Sequence, residues 1–136
     1  MRFQSERDQR LASSVVSQMI SLVETLIQRM QPVQSADDLT ESETGRLLLD
    51  AVCMQYLALG EAVKQLDKLT GFTLQIQAPD QDWKGIMGFR DVLAHQYFNI
   101  DPRQVLWITQ EALPSLLLNL KEIKASCESS ELRNDT

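Results

Sequence analysis

The stretch TESETGRLLLDAVCMQYLALGEAVKQLDKL, Thr40 to Leu69, decides the architecture of this chain. Its apolar residues Leu47, Leu48, Ala51, Val52, Tyr56, Leu59, Ala62, Val63, Leu66 and Leu69 recur at helical spacing and spread over more than half the circumference. A helix of that kind is covered on several sides, so the spacing predicts a central element with other helices packed around it. Thr40-Glu41-Ser42-Glu43 has the form of a capping box, in which hydroxyl and carboxylate satisfy orphan amide groups, and it predicts a helix start near Glu41. Gly60 in the helix interior costs about 1 kcal/mol relative to alanine and is read as permitting close approach of a neighbouring helix. Gly71 suits the C-terminal cap.

On the N-terminal side, Leu11, Val15, Met19, Leu22 and Leu26 repeat at spacings of three and four, predicting an amphipathic helix from Leu11 to Met30 that Pro32 ends. Gln31 to Asp38 reads as a surface connection with Ser35, Asp37 and Asp38 as turn formers. On the C-terminal side, Phe72, Leu74 and Ile76 form an alternation too isolated to build a sheet. Residues 71–81 are therefore read as a loop, with room for one short turn. Trp83, Ile86, Met87, Arg90, Leu93, Ala94 and Tyr97 follow helical spacing, with Asp80 or Asp82 as N-cap. Asp101-Pro102 opens a fourth helix through Val105, Ile108, Ala112, Leu116, Leu120 and Ile123, which Pro114 is expected to bend. The expected fold is thus all-α, an up-and-down four-helix bundle, with one domain over residues 1–124 and a flexible tail over 125–136. Trp83 and Trp107, and the methionines Met19, Met30, Met54 and Met87, are expected in the core.

Composition agrees with that class and narrows the functions. The 136 residues suit one domain, and five glycines with four prolines are too few for a turn-rich sandwich or barrel. A net charge of -6 argues against non-specific binding to nucleic acid or an anionic membrane, so any polyanion site must be local. Cys53 and Cys127 have no Cys-x-x-Cys partner, and the pattern has no apolar signal segment, so thiols in a reducing cytoplasm are expected. His95 is the single histidine, so a His/Cys zinc cluster cannot be assembled within one chain; no metal and no cofactor are expected.

One polar cluster interrupts the apolar pattern: Arg90-Asp91-Val92-Leu93-Ala94-His95-Gln96-Tyr97, which combines a permanent cation, an imidazole and a phenol. At about 100° per residue, Tyr97 falls over Arg90, whereas His95 is rotated about 140° from Arg90 and stacks on Asp91. Arg90 and His95 converge only if the arginine reaches round, the helix tightens, or a second subunit supplies part of the site. Cleaving RNA without a metal requires a base, an acid and a cation for the phosphorane, and a two-fold dimer would bring two imidazoles and two guanidinium groups to one cleft. Asp91 would fix the imidazole tautomer. On the residues alone a bland reading stands beside this one: His95 as a helix-terminal cap and Arg90-Asp91 as a surface pair.

Arg90-x4-His95-x-Tyr97, preceded by Trp83-x2-Ile86-x-Gly88-x-Arg90 and followed by Asn99-Ile100-Asp101 and Trp107, resembles the HepT-like branch of the HEPN superfamily. Leu59-Gly60-Glu61-Ala62 is similar to that branch as well, and the resemblance runs from about Leu47 to Ile123. It implies a HEPN-like helical bundle acting as the toxin of a toxin-antitoxin system, a homodimeric, metal-independent endoribonuclease. A minimal nucleotidyltransferase antitoxin would be its partner and RNA its substrate. Arg90 and His95 would be the catalytic pair, Asp91 the supporting polar residue, and Tyr97 the site of adenylylation, where AMP would oppose RNA binding by bulk and charge.

From Pro79 to Arg103 three bases, Lys84, Arg90 and Arg103, face four acids, Asp80, Asp82, Asp91 and Asp101, a poor funnel for a polyanion. Lys64 and Lys68 of the central helix are candidates to supplement it. The alternative reading is a non-catalytic helical module that binds a nucleotide or the nucleotidyltransferase.

Overall fold

The computed structural model describes residues 1–134, except for the side chains of Tyr97 and of residues 130–134. The described residues are built from helices: α1 Glu6–Met30, α2 Glu43–Leu69, the single turn α3 Leu74–Gln77, α4 Trp83–His95, α5 Pro102–Trp107 and α6 Leu113–Asn134. Short 3₁₀ turns occupy Ala36–Leu39 and Tyr97–Asn99, and a π-helical segment, Ile108–Ala112, joins α5 to α6. The fold is the expected all-α bundle, in which α2 packs on both α1 and α4, and α1 packs in turn on α6.

The core follows the apolar stripes. Val16, Met19, Val23 and Leu26 of α1 are fully buried against Val52, Leu59, Val63 and Leu66 of α2 and Leu113, Leu116 and Leu120 of α6 in one cluster. Among the described residues α1 is long and apolar enough to cross a membrane, but its stripe lies inside the bundle. Trp83 is fully buried, as expected, and its Nε1–H donates to the Ala78 carbonyl at 2.8 Å. Tyr56 of α2 meets Phe89 of α4 edge to face, with ring centroids 5.4 Å apart. Cys53 and Cys127 are buried thiols outside any disulfide. Burial, aided by Asp50, pushes the Cys53 thiol up to about 11.

Several boundaries differ from the sequence reading. α1 starts at Glu6 because the Ser5 side chain accepts from the Asp8 amide at 3.1 Å. α2 starts at Glu43, with Ser42 as N-cap and Thr40 closing the preceding 3₁₀ turn; the capping box belongs to Ser35 and Asp38. Gly71, at φ 68°, follows the cap residue Thr70, and amides of Gly71 and Phe72 return to the carbonyls of Lys68 and Asp67 in a Schellman closure. Asp82 rather than Asp80 caps α4.

The expected fourth helix is continuous but not uniform: the π segment widens the turn immediately before Pro114, whose ring and missing amide cannot follow a regular α-helical turn. The end expected at Lys124 is corrected, since α6 continues through Asn134. Cys127 extends the buried stripe Leu116, Leu120, Ile123. Lys124 Nζ also donates to Ser13 Oγ at 2.8 Å, and the Gln9 side chain donates to the Cys127 carbonyl at 3.0 Å. Residues 135 and 136 of the expected tail lie outside the described residues. Trp107 and Met54 are corrections too: they are 62% and 67% exposed, not core.

Candidate functional site

The polar cluster lies on the C-terminal half of α4, and α2 determines how it is held. Gly60 faces Arg90 so closely that a Cβ built on it would lie 2.2 Å from Arg90 Cβ. The glycine therefore lets the two helices meet at the arginine, as its position in the helix interior suggested. Arg90 is left with a side chain only 23% exposed. Its Nε is buried 2.5 Å from Glu61 Oε1 but not aligned for a hydrogen bond, so the contact is one of charge. Its Nη1 donates to Asp91 Oδ1 at 3.3 Å, and the same oxygen accepts from Lys64 Nζ at 2.7 Å. Two cations and two carboxylates thus alternate across the α2–α4 seam. The Lys64 hydrogen bond, with help from Arg90, holds the Asp91 carboxyl below the usual carboxylate range.

His95 is the last residue of α4 and is exposed. Within one chain, Arg90 turns into the seam with α2 while His95 stands at the helix end. Asp91 Oδ1 is directed to Lys64 and Arg90 on the seam side. The backbone leaves the α-helix at Gln96, φ -132° and ψ 36°, so Tyr97 begins a 3₁₀ turn and does not continue the face of Arg90 as helical extrapolation predicted. The Tyr97 side chain lies outside the described residues. Directly after it, Phe98 is 97% exposed and borders a cleft with Leu49 and Cys53 of α2. Leu47 and Met54 of the same helix are 60% and 67% exposed.

Two contributors were not assigned from sequence. Glu61 was visible only as part of Leu59-Gly60-Glu61-Ala62, and Lys64 only as an unplaced cation. Their signal was the interior glycine, which marks the level at which α2 meets α4 and hence which neighbouring charges reach Arg90. Chemically, the arrangement offers a guanidinium held in a fixed position and an imidazole open to solvent on one short helix, with local charges that balance.

Comparison with known proteins gives consistent results. The family model described as ribonuclease HepT-like matches residues 23–123. A protein of Caldanaerobacter subterraneus subsp. tengcongensis, described as a candidate RNase, is 32% identical over 101 residues, covering 74% of this chain and 82% of its own length. No solved structure matches.

Proposed function

Because this chain belongs to the ribonuclease HepT-like family, for which an RNase-type function follows, we propose that it is a metal-independent endoribonuclease. In this reading it is the toxin of a cytoplasmic toxin-antitoxin pair, with RNA as substrate and a minimal nucleotidyltransferase as antitoxin. The observation that carries the reading is the placement of the motif pair: Arg90 anchored by Gly60, Glu61 and Asp91, and His95 exposed at the end of the same helix.

Two copies related by a two-fold axis would complete the site. One imidazole takes the proton of the ribose 2'-hydroxyl as its oxygen attacks phosphorus; the second, protonated, gives a proton to the departing 5'-oxygen. The P–O5' bond breaks and a 2',3'-cyclic phosphate is left. Arg90 balances charge on the phosphorane. Phe98, 97% exposed directly after α4, supports pairing of copies there, because a large apolar side chain left in water favours association.

The test is cleavage of RNA by the purified protein in EDTA. Wild type is expected to cut, and His95→Ala to lose about 100-fold or more in rate; equal rates for the two would remove His95 from the chemistry. Adenylylation of Tyr97 is the proposed neutralising step. The hydroxyl oxygen attacks the α-phosphorus of ATP, the bond to pyrophosphate breaks, and AMP remains on the phenol. Incubation with the nucleotidyltransferase and ATP should add the mass of one AMP to wild type and none to Tyr97→Phe; an unchanged addition in that variant would place the modification elsewhere.

The neutralised seam favours a second reading. With Glu61 and Asp91 against Arg90 and Lys64, the motif has little net attraction for RNA phosphate and suits a non-catalytic module that binds a nucleotide or the nucleotidyltransferase. Tight complex formation without RNA cleavage in any antitoxin-free condition would select it.

A further inference from the structure

On the face of α4 turned away from Arg90, a cavity of about 650 Å³ separates α4 from α5, the π segment and the start of α6. That is within the usual range for a small-molecule site, roughly 300–1,000 Å³. Its origin can be read in the sequence. Gly85 and Gly88 contribute no side chains to the α4 wall, and a Cβ placed on Gly88 would meet nothing within 4 Å. Opposite, Ile108 and Ala112 belong to the π segment, a departure from α-geometry that is frequent at functional sites.

The lining indicates the ligand. Tyr56, Phe89 and Trp107 supply aromatic surface, and Trp107 remains 62% exposed while bordering the cavity. Gln104 and Gln81, whose Oε1 already accepts from the Asn119 side chain at 2.9 Å, carry amide groups, and among the described residues no lysine or arginine lines it. Among the described residues the one carboxylate on its wall, Asp82, already accepts from the Gly85 amide at 3.0 Å as the cap of α4. Such walls do not attract a phosphate. They suit a flat, neutral heterocycle that stacks on an aromatic ring and pairs its edge with carboxamides.

Position completes the argument. Gly85, Gly88, Phe89 and Val92 share the cavity face of α4, and His95 follows Val92 by three residues, so the two are neighbours at about 5–6 Å between Cβ atoms. A base held at the Val92 end of the cavity would have its sugar and phosphate within reach of His95 at the end of α4.

We propose that this cavity is a nucleobase subsite, in which Trp107 stacks on one base of the RNA, Gln104 reads its edge, and Gly88 makes the room. The choice of ligand rests on the ribonuclease reading, but the binding test does not require cleavage, because nucleosides contain no phosphodiester. Adenosine, guanosine, cytidine and uridine are titrated separately into the full chain and followed by tryptophan emission, with buried Trp83 as a constant background, and by equilibrium dialysis. At least one nucleoside should bind saturably. Gly88→Leu, which fills the cavity from an open position, and Trp107→Ala, at an exposed position, should each weaken binding about tenfold or more at unchanged helical circular dichroism.

Failure of all four nucleosides to bind, or equal binding by both variants and wild type, would overturn the subsite. If nucleosides bind and RNA is never cut, the subsite stands and the nuclease reading falls. If RNA is cut and Gly88→Leu changes neither its rate nor its base preference, the subsite falls and the nuclease reading stands.

Discussion

Gly60 and Gly88 are both glycines inside helices, yet their surroundings give the same substitution opposite signs. Alanine at 60 would place a methyl group 2.2 Å from Arg90 Cβ, so α2 and α4 must move apart at Arg90. An overpacked contact of that kind costs about 1–3 kcal/mol. Alanine at 88 meets nothing within 4 Å and gains the ordinary helical advantage over glycine, about 0.5–1 kcal/mol. Urea denaturation should show Gly60→Ala shifted to a lower midpoint and Gly88→Ala to a higher one, at unchanged slope. An unchanged or higher midpoint for Gly60→Ala would contradict the seam described around Arg90, and a lower one for Gly88→Ala would contradict the open space at that position. At this scale the sequence was legible for Gly60 as a point of close approach and for the separation of Arg90 from His95 within one chain. It was not legible for the partners of Arg90, because which charge on α2 meets α4 depends on how the two helices are set against each other. Side-chain exposure was misjudged for the same reason at Trp107, an apolar residue at a helical position whose neighbour across the groove is a cavity.

Between elements, the tie from Lys64 of α2 to Asp91 of α4 makes the seam sensitive to acid. The folded-state pKa of Asp91 lies below its ordinary value, chiefly through the Lys64 hydrogen bond and then through Arg90. A lowered carboxyl pKa contributes stability that is present above the unfolded value, about 3.9, and is lost as pH falls through the folded value. Asp91→Asn should therefore unfold at a lower temperature than wild type at pH 7, and the two melting temperatures should converge below about pH 4. A gap that persists unchanged into acid would mean that Asp91 acts by packing and not by charge. Helix existence was the most legible feature here, since a 3.6-residue apolar stripe identifies α1, α2, α4 and α5–α6 directly. Helix ends were less so. Thr40 and Ser42 offer competing caps, and the choice follows from Thr40 closing the turn before α2. The continuation of α6 past Lys124 rests on Cys127, a small apolar residue in a polar run, and on contacts reaching back to α1.

At the scale of the whole molecule, one chain carries one imidazole, and it stands at the surface while its arginine is sunk in the seam. Acid-base cleavage with two imidazoles therefore requires two chains, and this dependence separates the proposed nuclease from a binding module or a purely structural bundle. Periodicity made the bundle legible; it has no bearing on which surfaces of two bundles meet, since it counts exposed Leu47 in the same stripe as buried residues and passes over exposed Phe98. The most direct test is RNase activity per chain in EDTA, measured across protein concentrations at which sedimentation reports the monomer and dimer fractions. Activity per chain should rise in proportion to the dimer fraction and be absent at every concentration in His95→Ala. Activity per chain that stays constant down to dilutions where only monomer sediments would contradict the composite site.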